Sequence, residues 1–145
     1  MKLEIQVIDK HFYLQRLFLK HFCRRIIENA WQKKEDVIVS LVLADNDFVH
    51  QLNKQYRGKD QPTNVLSFEN EYPLAGDIVV AYGVTRDEAK AQGKTFSAHL
   101  AHLLTHGALH LQGYDHLNDK QAKQMEKLET KLMQKLGYKD PYKGV

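Results

Sequence analysis

Three of the eight histidines lie close together in the segment His106-Gly-Ala-Leu-His110-Leu-Gln-Gly-Tyr-Asp-His116. Residues four apart on an α-helix differ by about 40° in direction and about 6 Å in height, so His106 and His110 can bind the same ion. Gly113 is placed to end the helix with a positive φ, after which the chain can turn back and bring His116 to that ion. The spacing predicts a metal site whose ligands are His106, His110 and His116.

Three imidazoles without a fourth protein ligand are typical of catalytic zinc, which keeps one position open for water. Zinc lowers the pKa of such a water to about 7, so we expect one Zn²⁺ ion and a hydrolytic reaction. A pair formed by His102 and His106 is a competing assignment, but no third ligand follows it at a comparable spacing. His102 is either a partly buried structural histidine or a residue that orients a ligand, and His99 is expected to be exposed.

The pattern H-x-x-x-H-x-x-G-x-x-H is similar to that of a large group of zinc peptidases, in which a glutamate general base follows the first histidine. Gly107 occupies that position here. Without the glutamate, protonation of a leaving amine is difficult, whereas a ribose or phosphate oxygen leaves more readily. The residues therefore favour another hydrolysis over peptide cleavage, and a peptidase-like zinc hydrolase remains the alternative.

Further polar residues could complete such a site. Arg57, in a polar loop before the third strand, could hold a phosphate with its two-pronged guanidinium group, or be a solvated loop residue. Ser67 and Asp77 lie in or beside adjacent predicted strands, where Asp77 could orient a group or cap a turn. Asp115, next to His116, is either a carboxylate that supports a metal ligand without binding the ion itself or a turn residue.

The apolar pattern indicates an α+β fold in a single domain over residues 1–145, with a mixed sheet of about four strands packed with about five helices. Apolar residues predict strands at 2–8, 37–44, 64–68 and 77–82, the last two antiparallel because their connection is short. They also predict one helix over 10–33, a short helix capped by Asp45 and a helix opened by a capping box at Thr85–Glu88. The helix that carries His106 and His110 is expected to run from Thr95 or Ser97 to Leu111. A last helix is predicted from Asn118 to Leu136.

Composition narrows the class of protein. No apolar run approaches the roughly 18 residues needed to span a bilayer, and the N-terminal residues do not resemble a signal peptide. The single cysteine, Cys23, excludes an internal disulfide framework, and we expect it to pack in a helix in a cytoplasmic protein. The net charge is only +3, but Lys10, Arg16, Lys20, Arg24 and Arg25 form a basic segment without an acid. A second, lysine-rich segment begins at Asp119 and also contains four acids, and the two basic segments together point to contact with phosphate. The aromatic residues among the charges of the first segment could stack bases: Phe12, Tyr13, Phe18 and Phe22.

Several motifs in order along the chain carry a family resemblance. They are Tyr56-Arg57, Pro62-Thr-Asn-Val-Leu-Ser-Phe68, Gly76-Asp77-Ile78, the block from His102 to His116, and Met125-Glu-Lys-Leu-Glu129. Together they resemble the YbeY family of bacterial rRNA maturation factors. Asn64 departs from the family pattern, since many members have an aspartate there.

The resemblance implies a single-strand-specific, metal-dependent endoribonuclease of the bacterial cytoplasm, with His106, His110 and His116 as zinc ligands and Arg57 as a substrate contact. His106 and Arg57 would be the catalytic residues. It also implies a role in 16S rRNA 3′-end maturation and ribosome quality control, with rRNA and the small ribosomal subunit as partners and contacts to ribosomal proteins possible. A non-catalytic rRNA-binding assembly factor with a structural zinc is a further alternative.

Overall fold

The structure of the chain is a computed structural model that describes residues 1–15 and 18–143. Its elements, in chain order, are β1 (Lys2–Val7), a 3₁₀ helix (Lys10–Gln15), α1 (Leu19–Ala30), β2 (Ile38–Ala44), α2 (Asn46–Arg57), β3 (Val65–Glu69), β4 (Leu74–Ala81), α3 (Tyr82–Ala91), α4 (Phe96–Leu111) and α5 (Asp119–Lys135).

The four strands form one mixed sheet in the order β1-β2-β4-β3. β1 and β4 run parallel to β2, whereas β3 pairs antiparallel with β4 at one edge of the sheet. The four-residue link between β3 and β4 is too short for a crossover, which explains the antiparallel pair. The predicted α+β class, the mixed sheet and the five helices are therefore confirmed.

Helices cover both faces of this sheet. The larger core lies between one face and the apolar sides of α1, α4 and α5, and the smaller core lies between the other face and α2. Cys23 of α1 is fully buried in the larger core, and burial raises the pKa of its thiol to about 12. The cysteine therefore packs in the core, as predicted, with a thiol that is not activated.

The predicted helix over 10–33 is wrong in extent, because α1 begins only at Leu19. The Asp9 carboxylate accepts a hydrogen bond from the backbone N–H of His11, and a 3₁₀ helix follows. This turn buries Phe12 completely, with its ring edge-on to Tyr82 and Phe96. The chain thus forms a 3₁₀ helix that buries Phe12, instead of continuing α1 toward the N-terminus. Arg16 and Leu17, which belonged to the predicted helix, lie outside the described residues.

The capping box predicted at Thr85–Glu88 is also wrong. α3 already begins at Tyr82, and Thr85 is a buried residue at the end of its first turn, where its hydroxyl donates to the carbonyl oxygen of Ala81. The caps predicted at the other helices are confirmed, since Asp45, Thr95 and Asn118 each accept a backbone N–H of their own first turn. Within the described residues, no helix is both long and apolar enough to cross a membrane.

Gly76, at the hairpin that joins β3 to β4, is a position where a side chain has no space. Its φ is +153°, and a Cβ atom there would lie 2.2 Å from the carbonyl oxygen of Phe68 and 2.6 Å from Leu111 Cδ2. The contact with Leu111 couples this hairpin to α4. A glycine is therefore required for the sheet edge and α4 to meet.

We expect Gly76→Ala to lower the free energy of unfolding by about 3 kcal/mol, because the new methyl group collides with backbone that cannot move freely. Gly58→Ala is the matched control: Gly58 also has a positive φ, +67°, but nothing lies within 4 Å of its Cβ position. The control should lose only about 1 kcal/mol, the cost of the left-handed conformation alone. Urea unfolding measures both, and equal losses would contradict the role of the close contact.

Candidate metal centre

α4 carries the histidines along the border of its buried side. The helix runs from Phe96 to Leu111 and is capped by Thr95, whose hydroxyl accepts the N–H of Ala98. Gly113 follows with φ +94°, the positive angle predicted from the sequence, and the chain turns back toward the helix. His106 and His110 are partly buried, and His116 in the returning loop is exposed.

The three histidines converge. One ring nitrogen from each of His106, His110 and His116 lies within 4.8 Å of the others, and the Nε2 atoms of His106 and His110 are 3.0 Å apart. Two nitrogens that bind one tetrahedral zinc ion are separated by about 3.3 Å, given Zn–N bonds of about 2.0–2.1 Å. Burial, with the neighbouring His106 and His116, lowers the pKa of His110, which favours the neutral imidazole that binds metals. This donor set fits a zinc ion.

Glu129 of α5 lies directly behind this centre. Its side chain is fully buried, and its Oε1 is 2.7 Å from His106 Nδ1. Burial alone would raise the pKa of this carboxyl, but hydrogen bonds from His102, His106 and Tyr142 and the charge of His106 outweigh it, and the pKa falls to about 2. Because an ionised carboxylate only accepts, His106 Nδ1 must carry the proton and Nε2 is left to bind a metal.

His102 belongs to the same network and not to the ligand group. Its Nε2 lies 3.3 Å from Glu129 Oε1 and 3.2 Å from the Tyr142 hydroxyl. The competing pair of His102 and His106 is therefore not the arrangement found among the described residues. His102 instead contacts the carboxylate that orients His106.

The C-terminal segment closes this network. The Tyr142 hydroxyl donates to Glu129 Oε2. Two further hydrogen bonds hold the segment in place: Lys94 Nζ donates to the carbonyl oxygen of Pro141, and the Thr130 hydroxyl donates to the Asp140 carboxylate. Burial, together with the hydrogen bond to Glu129, raises the pKa of Tyr142 far above its usual range, so its hydroxyl remains a donor. Glu129 of α5 thus accepts from two histidines of α4 and from the C-terminal segment at once.

The expectation that His99 is exposed is wrong, since only 3% of it is accessible. Its Nε2 contacts Glu88 Oε1 of α3 at 2.9 Å, and burial is the main cause that lowers its pKa. α3 packs over the start of α4 and covers this histidine. The sequence pattern of α4 contains no information about that neighbour.

The histidines open onto a cleft of about 1270 Å³. Its walls come from α3, α4, β3 and the C-terminal segment. Its lining includes Arg57, Asn64, Ser67, Glu69, Glu88, Lys90, Lys94, His99, His102, His106, His110, Asp115, His116 and Tyr142.

Arg57 is fixed at the edge of this cleft. Its Nη2 donates to the carbonyl oxygen of Ser67 at 2.9 Å, and its guanidinium lies 4.8 Å from the Phe68 ring centre. The structure thus places Arg57 and the three histidines in the lining of one cleft.

The remaining candidates divide between the two faces of the sheet. Ser67 faces α4, where its hydroxyl is 3.5 Å from the carbonyl oxygen of Gly107. Asp77 alternates with Ile78 and shares the orientation of Val79, which belongs to the smaller core, so it lies on the face away from α4. The Asp115 carboxylate accepts the N–H of His116 and is a turn residue at the cleft rim.

Gly107 explains the missing peptidase glutamate in steric terms. A Cβ atom at this position would meet Ile78 Cγ2 at 3.0 Å and Ser67 Oγ at 3.1 Å. The face of α4 next to His106 therefore packs directly on the sheet, and a glutamate there would have to displace the side chains of Ile78 and Ser67.

The basic residues of the cleft differ from those that the sequence emphasised. Lys90 and Lys94, at the end of α3 and just after it, line the cleft with Arg57. Arg24 and Arg25 of α1 instead line a separate depression of about 490 Å³ near the end of α5. Tyr13 and Phe18 are exposed, whereas Phe12 is in the core.

Comparison with known proteins agrees with this geometry. A family model described as endoribonuclease YbeY matches residues 4–137. The chain belongs to this family. It is also similar to TM1509 from Thermotoga maritima, a protein of known solution structure, with 30% sequence identity, a TM-score of 0.65, and coverage of 97% of this chain and 99% of that chain. The resemblance seen in the sequence motifs is thus confirmed.

Two residues of the centre were missed as functional candidates. Glu129 had a signal, since it is an acid between Met125 and Leu132 on the apolar side of α5. Tyr142 had none, and it lies beyond the residues that the YbeY family model matches.

We expect Glu129→Gln to weaken binding of Zn²⁺ by about 10–100-fold, because an amide no longer fixes the proton on His106 Nδ1. Tyr142→Phe should weaken it by a smaller factor, since one hydrogen bond to Glu129 is lost. Tyr138→Phe, in the same C-terminal segment, is the control and should bind zinc as the wild type does. Competition with a chromophoric chelator measures all three affinities.

The double variant Glu129→Gln/Tyr142→Phe separates direct from indirect action. If Tyr142 acts through Glu129, the second substitution adds little to the first. Independent, multiplying losses of zinc affinity would contradict this coupling.

Proposed function

We propose that this chain is a zinc-dependent endoribonuclease that cleaves single-stranded RNA. The observation that carries the proposal is the convergence of His106, His110 and His116 at a cleft that Arg57 also lines, in a member of the endoribonuclease YbeY family. His106, His110 and His116 would hold one zinc ion. A zinc ion at such a site supplies a Lewis acid and lowers the pKa of bound water to about 7.

The residues of the chain have distinct tasks in this proposal. Glu129 holds the proton on His106 Nδ1 and so directs Nε2 toward the ion. Arg57, one of whose N–H groups is held by Ser67, is positioned to bind a non-bridging phosphate oxygen with its remaining donors. Attack on phosphorus by water or by the neighbouring ribose 2′-hydroxyl would then break the P–O bond.

Charge and shape support RNA as the substrate. Lys90 and Lys94 supply cationic side chains to the same cleft as Arg57, where they can contact a phosphate backbone, although the carboxylates of Glu69, Glu88 and Asp115 also line it. Reaction inside a cleft favours an unpaired strand, whose phosphodiester and bases can be splayed against the walls. The family resemblance extends the proposal to rRNA, with maturation of the 16S rRNA 3′ end and ribosome quality control as the cellular task in the cytoplasm.

Zinc binding tests the metal part of this proposal. The wild type should bind one Zn²⁺ per chain and gain thermal stability with increasing free zinc, because the ion binds only the folded state. His110→Ala should lose this binding and remain folded, while His50→Ala, outside the cleft, should retain it. Calorimetric titration gives the stoichiometry. If chelation unfolds the wild type and RNA binding without cleavage is its only activity, the metal is structural and not catalytic.

Cleavage of a labelled single-stranded oligoribonucleotide tests the activity. We expect Arg57→Ala to lower kcat/KM by about 100-fold, the usual cost of removing a donor to a transition-state oxyanion. His110→Ala should lose at least as much. Arg86→Ala, an exposed arginine outside the cleft, is the control for lost positive charge and should retain activity.

Contaminating ribonuclease is excluded by comparing the variants purified in parallel. Equal activity in the wild type, His110→Ala and Arg57→Ala would overturn the proposed catalysis. Cleavage of casein or peptides without cleavage of RNA would favour the peptidase alternative, and RNA binding without cleavage would favour an assembly factor.

A further inference from the structure

The cleft extends well beyond the metal centre. His99 and His106 are seven residues apart on α4, which corresponds to about 10 Å along the helix axis. The rings between them are spaced at 6.4 Å from His99 to His102 and 6.5 Å from His102 to His106. A phosphodiester bound at the histidines cannot fill this far part of the cleft. A neighbouring part of the substrate can.

Glu88 forms the wall of that far part. Its Oε1 accepts a hydrogen bond from Asn64 Nδ2 at 2.9 Å and lies 2.9 Å from His99 Nε2. His99 is nearly fully buried, so its imidazole has little freedom to move away from the carboxylate. The carboxylate is thus fixed by the side chain of Asn64, which directly precedes β3, and by that of His99 on α4.

The second oxygen of Glu88 is left for a ligand. The side chain is 35% exposed and lines the cleft, and no hydrogen bond or ion pair in the described part of the chain involves its Oε2. Lys94, a lysine of the cleft wall, does not pair with this oxygen, because its ammonium group donates to the carbonyl oxygen of Pro141. A carboxylate oxygen that is fixed in place and faces the cleft accepts N–H groups and repels phosphate.

Asn64 is a feature of this chain that makes this arrangement possible. Its Oδ1 accepts the N–H of Val65 at 2.6 Å, which leaves the Nδ2 group to donate to Glu88. An aspartate at this position could not donate and would place two carboxylates together. The amide therefore fixes Glu88 in the orientation described.

In single-stranded RNA the strong N–H donors are on the bases. Adenine, cytosine and guanine each carry an exocyclic amine, and carboxylates read the amine of cytosine in this way. Uracil offers only one N–H, between two carbonyl oxygens that a carboxylate repels. We propose that Glu88 is a specificity-determining residue that binds the exocyclic amine of a base next to the cleaved phosphodiester. This inference rests on the proposed ribonuclease function.

The test uses zinc-loaded protein and single-stranded oligoribonucleotides that are uridine throughout except for one adenosine, cytidine or guanosine. The wild type should cleave near the amine-bearing base about tenfold faster, in kcat/KM, than it cleaves the all-uridine strand, as expected for one hydrogen bond to a charged group. Glu88→Gln should reduce this ratio to about one. Asn64→Asp, which leaves Glu88 in place but removes its donor, should reduce the ratio partly.

Glu69→Gln is the matched control, because Glu69 is another carboxylate of the cleft lining. It should change the rates for all strands by a common factor and leave their ratio unchanged. A Glu88→Gln protein that remains folded by circular dichroism and keeps the wild-type ratio would overturn the base contact while the ribonuclease function stands.

If the wild type cleaves none of the strands, the proposed function fails, and the base contact is read from binding instead. Fluorescence anisotropy should then still give tighter binding of the amine-bearing strands to the wild type than to Glu88→Gln. Equal affinities in that measurement would overturn the base contact as well.

Discussion

The close packing of α4 on the edge of the sheet is the constraint on which the rest of the structure depends. One side of this helix is buried against β3 and β4, and there Gly107 approaches Ile78 and Ser67 so closely that a Cβ atom would lie 3.0 Å from the isoleucine. The adjacent side then carries His106 and His110 along the rim of the cleft. Because both sides belong to one rigid helix, the depth of packing sets the height of the ligands above the sheet.

A buried carboxylate links that helix to the remainder of the chain. Glu129 would be costly inside an apolar core, but it receives hydrogen bonds from His102, His106 and Tyr142, and a fully satisfied ion of this kind can be accommodated. The network joins α4, α5 and the C-terminal segment around one side chain. It also selects the tautomer of His106, so a single residue serves both the packing of α5 and the chemistry of the centre.

A second carboxylate, Glu88, is held by hydrogen bonds at the far end of the cleft, as Glu129 is held behind the three histidines. It is held by Asn64 and His99 as Glu129 is held by its three partners. The difference lies in exposure: Glu129 is fully buried and can only orient its neighbours, whereas Glu88 is partly exposed and can contact a ligand. The row of histidines on α4 thus has one acid behind the metal centre and one beside the extension of the cleft.

The sequence by itself determined the elements and the metal-binding spacing. Period-two and helical apolar patterns located the four strands and most helices, and His106, His110, Gly113 and His116 depend on local helix geometry that spacing alone specifies. Its errors were local patterns overruled by tertiary contacts, such as the burial of Phe12 that shortened the first helix. Only the tertiary structure decided what surrounds the histidines: Glu129 comes from α5, Glu88 from α3 and Tyr142 from the C-terminal segment. These residues are distant in sequence, and their contacts arise from packing of elements, about which a periodic pattern in one segment carries no information.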